Sequence, residues 1–227
     1  MRAWSKGAPA TIQEVRSRRA PHVVLRAVPK DCSSEPVLSD AALIEGILRG
    51  DERIAAQLYR RLVSIVDRTL YRVFGRRESD HDDLVQSALE QVVLTLSARR
   101  FAGACSLNTW ASTIASHVGL AALRARRRER RFLAREHDLD AAAVAVAVRR
   151  DPEHELGVRD QIERARSHLV AMDPKKAEAL VLHDVLGHEL AEIAVMTGTS
   201  IAAAQSRLVR ARRELVERMR SEGEHRE

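Results

Sequence analysis

The sequence predicts an all-α protein: two small helical domains joined by a flexible linker. Three observations carry that expectation. Aromatic residues make up 3% of the 227 residues while apolar residues make up 45%. Such a profile suits aliphatic helical cores and fits poorly with sheets, which favour aromatic and β-branched side chains. Apolar residues also recur at three- and four-residue steps through most of the chain. Finally, Ser, Asp and Gly stand where those periods begin and end, as helix caps should.

Taken in order, residues 1–38 carry Pro9, Pro21, Pro29 and Pro36 with scattered charge, and read as a flexible extension with at most a short strand at 23–28. Ser39 or Asp40 can cap a first helix holding Leu43, Ile44, Ile47 and Leu48, which stops near Gly50. Asp51 begins a second helix with Ile54, Leu58, Leu62, Ile65 and Val66 on one stripe, running to about Phe74. A third helix is expected over 82–98 and a fourth over 106–131, closing a first domain at 39–131. Residues 132–158 mix an unpatterned apolar run at 141–148 with charge and Pro152, and read as a linker. A second helical domain follows at 159–221.

The second domain carries the first sign of function. Residues 189–200 give a short helix, a glycine turn at Gly198 and a serine cap at Ser200, leading into a basic amphipathic helix. That is a helix-turn-helix pattern. On the long helix Ile201, Ala204, Leu208, Ala211, Leu215 and Met219 form the stripe expected to be buried. The opposite face presents Ala202, Ala203, Ser206, Arg210 and Arg213, with Gln205 and Arg207 at its edges. Small residues let backbone approach a groove, and the arginines then reach phosphates. The net charge of +6, owed almost entirely to arginine, favours the same polyanionic partner.

The fourth helix repeats the plan. Leu107, Trp110, Ala111, Ile114, Val118, Ala121, Ala122 and Ala125 make its apolar stripe. Thr109, Thr113, Ser116, Arg124, Arg127 and Arg131 lie on the far face with His117 at the margin, a pattern that reads as a phosphate track. The third helix differs: Asp83, Gln86 and Glu90 share a face with Asp82 beside it. An acidic, amide-rich face repels DNA and suits a protein partner.

Other function classes find little support. The histidines are scattered, and no zinc-binding pair, glycine-rich phosphate loop or nucleophile elbow occurs, so neither an enzyme, a metal nor a cofactor is expected. Cys32 and Cys105 form no disulfide framework. No apolar run approaches the ~20 residues of a membrane span, and no signal peptide is readable, so a cytoplasmic protein without membrane insertion is expected.

Particular residues then carry a resemblance. Asp82, Asp83, Leu84, Val85 and Gln86, then Phe101, Ala102 and Gly103, then Asn108, Thr109 and Trp110 with Ile114, Ala115, Leu123 and Arg124, resemble the second region of bacterial sigma factors. Glu192, Ile193 and Ala194, with residues 206–212, resemble their fourth region. The two-domain form is similar to the extracytoplasmic-function (ECF) class of the sigma-70 family. That resemblance implies a factor that binds core RNA polymerase, directs it to promoter DNA and is commonly held by an anti-sigma factor. It implies that Asp82, Asp83, Gln86 and Glu90 face the polymerase. The loop 101–107, with Phe101, Cys105 and Ser106, would hold a flipped-out base, and the helix from Asn108 would lie along minus-ten DNA. Residues 200–213 would enter the major groove of the minus-thirty-five element.

Several positions depart from the family pattern. Ala104 and Cys105 replace acidic and hydroxyl groups in the base-holding loop, His117 replaces an asparagine, and Ala121 an aspartate. The recognition helix opens Ala202, Ala203, Ala204, Gln205 in place of Gly-Thr-Val-Lys, which implies weaker base reading. Two other readings stay open from the residues themselves: a stand-alone helix-turn-helix regulator, and a helical adaptor whose basic faces serve solubility.

Overall fold

Short polar side chains start the first two helices of the first domain. The Ser39 hydroxyl accepts from Ala42 N at 3.3 Å and opens α1 (Asp40–Arg49). The Asp51 carboxylate accepts from Arg53 N at 2.9 Å and Ile54 N at 3.3 Å and opens α2 (Glu52–Phe74). Each bond satisfies a first-turn amide that has no partner inside its helix. Between the two, Gly50 turns the chain at φ 74°. Gly46 lets the helices touch, since a Cβ there would stand 2.4 Å from Ile54 Cγ2.

The computed structural model describes residues 38–137 and 153–224. The proposed extension, the strand at 23–28, Cys32 and the apolar run at 141–148 lie outside them. Two more helices complete the first domain, α3 (His81–Ser97) and α4 (Leu107–His137). Their core is aliphatic, as expected. Leu58, Leu62, Val66 and Leu70 of α2 meet Leu89, Val92 and Leu96 of α3, and Leu107, Ala111, Ile114 and Ala115 of α4. Fully burying one such leucine stabilises by ~1.5–3 kcal/mol, so this packing outweighs any single polar contact.

Asp40 does something the local pattern did not show. It leaves the capping of α1 to Ser39 and reaches across the domain, where its Oδ2 accepts from Leu107 N at 2.8 Å and so caps α4. Its Oδ1 accepts from Arg61 Nη2 at 2.5 Å. Arg61 also donates from Nη1 to the Leu38 carbonyl and from Nε to Asn108 Oδ1, each at 3.2 Å. One arginine thus ties the starts of α1 and α4 to the middle of α2.

The second domain comprises α5 (Glu153–Ala171), α6 (Pro174–Leu180), a π-helical turn (Val181–Val185), α7 (Leu190–Met196) and α8 (Ile201–Glu224). Asp173 caps α6 by accepting from Lys175 N at 3.0 Å and Lys176 N at 3.3 Å, with Pro174 pre-set for the first helical position. Two boundaries differ from the sequence expectation. α4 continues to His137, past residue 131, and α5 begins at Glu153, inside the span assigned to the linker. Arg, Ala, Glu and Leu are all good helix formers, so propensity carries both helices beyond their packed faces.

The two domains share a core. Val73 of α2 and Leu120 of α4 belong to the same buried cluster as Leu169, Met172, Leu180, Val181, Leu208 and Ala211 of the second domain. A smaller cluster of Leu182, Ile193, Ala194 and Ala204 holds α7 against α8.

Candidate nucleic-acid and protein interfaces

The helix-turn-helix is built from its turn outward. The Glu192 side chain accepts from Glu189 N at 3.0 Å and fixes the start of α7. Gly198 takes φ 61°, a conformation few other residues adopt without strain. Ser200 Oγ accepts from Ala203 N at 3.2 Å and caps α8. Ala204, Leu208 and Ala211 are buried as the stripe required, and Leu215 and Met219 are half-buried. Ile201 departs from that stripe at 53% exposure, because the packing of α8 against α7 begins one turn later, at Ala204.

The expected DNA-facing side of α8 is open. Ser200, Ala202, Gln205, Arg210 and Arg213 are exposed, and Ala203, Ser206 and Arg207 are half-buried. Arg213 donates to Glu217 at 2.9 Å in an exposed pair, the kind that holds little energy and yields readily to a phosphate. Arg212 has a different task. It is bound to Asp184 of the π-helical turn, and its hydrogen bonds hold the Asp184 carboxyl below the usual range against partial burial.

The α3 face is also open. Asp82, Asp83 and Glu90 are exposed and Gln86 is half-buried, donating to Glu90 Oε1 at 3.0 Å. Asp82 and Gln86 border a shallow concavity of about 460 Å³ between α2 and α3, lined also by Tyr59, Val63, Ser64, Asp67 and Val85. Its lining mixes carboxylates and polar groups with Val63, Val85 and Tyr59.

The α4 side differs in exposure from the sequence expectation. Thr113 and Ser116, expected to face DNA, are 2% and 0% exposed. Their hydroxyls turn inward: Ser116 donates to the Thr113 carbonyl at 2.8 Å, and Thr113 Oγ1 lies 3.0 Å from the Thr109 carbonyl and 2.7 Å from Met196 Sδ of α7. Helical hydroxyls can satisfy themselves this way and so tolerate burial. Asn108 is likewise engaged, by Arg61, at the α1–α2–α4 junction. Phe101 packs edge-on against Trp110 with ring centroids 5.6 Å apart, and both join the first-domain core. Ser106 caps α4 by accepting from Thr109 N at 3.1 Å.

Further along α4, His117 Nε2 meets Glu178 Oε1 of α6 at 2.5 Å. Arg124 is half-buried, and burial pulls its pKa down despite the nearby Glu178 and Asp173. Burial also lowers Arg127, which donates to the Ser167 carbonyl of α5 at 3.5 Å. Arg131 is exposed. Cys105 is half-buried, and that burial pushes its thiol up, helped by Glu192 and Asp40.

Comparison with known proteins follows this division. A model of "Sigma-70 region 2" matches residues 58–129, and one of "Sigma-70, region 4" matches residues 162–215. The chain belongs to the sigma-70 family. The ECF RNA polymerase sigma factor SigG of Mycobacterium tuberculosis is 32% identical over 187 residues, covering 74% of this chain and 48% of that protein. The chain therefore spans about half the length of that relative. RNA polymerase sigma factor NccH of Alcaligenes xylosoxydans xylosoxydans is 29% identical over 182 residues, covering 80% of this chain and 95% of that protein. A solved structure of CnrH in complex with the cytosolic domain of CnrY matches at TM-score 0.47 and 24% identity, covering 80% of this chain and 97% of that one.

For this sigma-70 family member, the region 2 match begins inside α2 and so leaves out α1, including Asp40. Sequence reading gave no cross-helix role to four residues that set the geometry: Asp40, Arg61, Arg126 and Glu178. Arg126 lies 4.9 Å over the Phe74 ring and is bound to Asp80, which anchors this part of α4 to the α2–α3 loop. None of the four belongs to a local motif, because each acts on a distant helix. Among the described residues no group of His, Cys, Asp and Glu gathers as a metal site. Nor, among them, is any helix long and apolar enough to cross a membrane.

Proposed function

We propose that the chain is an ECF-type alternative sigma factor that binds core RNA polymerase and directs promoter-specific initiation. The observation that carries this is the succession of region 2 and region 4 matches on one chain, each coinciding with a helical unit that has a suitable face. Asp82, Asp83, Gln86 and Glu90 dock on the polymerase. The loop 101–107 and α4 serve the minus-ten element, with Arg124, Arg127, Arg131 and His117 supplying positive or hydrogen-bonding contacts. Ser200 and the outer side of α8, through Arg210 and Arg213, anchor the minus-thirty-five element. The alanines that open α8 make that helix a stronger anchor than reader, because they offer no polar group to base edges. An anti-sigma factor completes the expected set of partners.

The test is in vitro transcription with core polymerase on genomic templates, followed by mapping of the starts. Discrete new starts that appear only with the wild-type protein are expected. Transcription indistinguishable from core alone, with no co-purification with core, would end the proposal.

A further inference from the structure

The outer side of α8 carries a residue that neither its buried stripe nor its arginine anchors account for. Val209 is 56% exposed and joins neither hydrophobic cluster of the second domain. Steps of three and four residues place it in one row with Ala202, Ser206 and Arg213. Gln205, also exposed, lies one turn before Val209, and Arg210 flanks the row on its other side. Val209 therefore stands in the middle of the side assigned above to the major groove.

A lone exposed valine is ordinary on a protein surface. This one belongs to a row whose first turn, with Ala202 exposed, is apolar as well. Helix propensity does not favour it, because valine is a weaker helix former than the alanines and arginines around it. Arginines that grip phosphates would press the row against base edges. The apolar group that base edges present in the major groove is the thymine C5-methyl. A valine that reaches it removes methyl surface of both partners from water. Gln205 adds the side chain that pairs bidentately with adenine. It precedes Val209 by four residues, roughly 6 Å of helix rise, which is about two base-pair steps.

We propose that Val209 is a specificity-determining residue of α8, packing its methyl groups on a thymine C5-methyl while Gln205 reads an adenine within about two base pairs. The helix then selects A·T pairs largely by apolar contact, although its opening alanines offer no hydrogen-bonding group. This inference rests on the assignment of α8 to duplex promoter DNA.

The test uses the full-length protein to enrich duplexes from a random pool. The recovered duplex is then remade with deoxyuridine at each thymine in turn, which removes only the C5-methyl. Wild type is expected to bind about fourfold more weakly where the contacted thymine is replaced, equivalent to ~0.8 kcal/mol, as for one buried CH2 group. Val209→Ala, with helix content checked by circular dichroism, is expected to bind the thymine and deoxyuridine duplexes equally. Loss of the methyl also alters DNA shape, but both proteins feel that alike, so the cycle of protein and base changes isolates the contact. Discrimination that survives in Val209→Ala therefore overturns the proposal, as does wild-type binding indifferent to every thymine. An enriched sequence with no fixed A·T pair overturns it too. Failure to enrich any sequence overturns it and leaves α8 an anchor alone, whereas transcription with core polymerase reports separately on the sigma-factor reading.

Discussion

α4 and α8 share a plan in the sequence and differ in what covers them. Each has an apolar stripe, a side of small or hydroxyl-bearing residues, and arginines further along. On α8 that second side stays open: Ala202, Gln205, Arg210 and Arg213 all reach solvent. On α4 it is covered, with Thr113 and Ser116 buried and His117 joined to Glu178. Small residues explain both outcomes. They admit any close neighbour, whether a DNA groove or a helix of the same chain. The difference teaches that an amphipathic pattern fixes the first face a helix buries but leaves the second to whatever can reach it.

The largest effect is expected at the foot of α4. Arg61→Ala leaves Asp40 and Asn108 without their partner and weakens the cap on α4. It should lower stability to urea by ~2 kcal/mol, because uncompensated charges within a packed junction are costly. Arg213→Ala, on the open helix, should change stability by less than ~0.5 kcal/mol, since an exposed pair contributes little. Equal losses in the two variants would abolish the contrast between a built-in and an open face.

A second effect concerns binding. Replacing Arg210 and Arg213 together by alanine should weaken binding to minus-thirty-five duplex and reduce the logarithmic salt slope by about two, roughly one for each phosphate no longer neutralised. An unchanged slope would mean that the exposed side of α8 is not its DNA side.

The smallest effect is a matter of rate. With its thiol pushed up by burial, Cys105 should alkylate more slowly at mildly alkaline pH than a free cysteine, because less thiolate is present. In Glu178→Arg the Cys105 peptide, followed by mass spectrometry, should react faster. Equal rates in both proteins would show that the second domain does not shield the loop.

Much of the architecture is legible in the sequence because it is local. The caps at Ser39, Asp51 and Ser200, the turns at Gly50 and Gly198, and the buried Ala204, Leu208 and Ala211 depend only on residues within a turn or two. The covered side of α4 also left a signal, though a fainter one. From Ala111 to Ala122 the helix carries Ala, Ser, Thr and Gly on nearly every side, which suits packing on two faces rather than one. The burial of Thr113 and Ser116 was not legible, because a hydroxyl that satisfies itself within the helix has the same sequence signature as one exposed on its surface.

The sequence by itself determined the four helices of the first domain, the caps at Ser39, Asp51 and Ser200, the open outer side of α8 and the acidic side of α3, all through short-range periodicity and charge. Only the tertiary structure decided that Asp40 caps α4, that Arg61 ties three helices together, and that Glu178 lies on His117. Those contacts join positions 67, 47 and 61 residues apart. At such separations no local pattern specifies a partner, and the choice falls to how the helix faces dock across the whole chain.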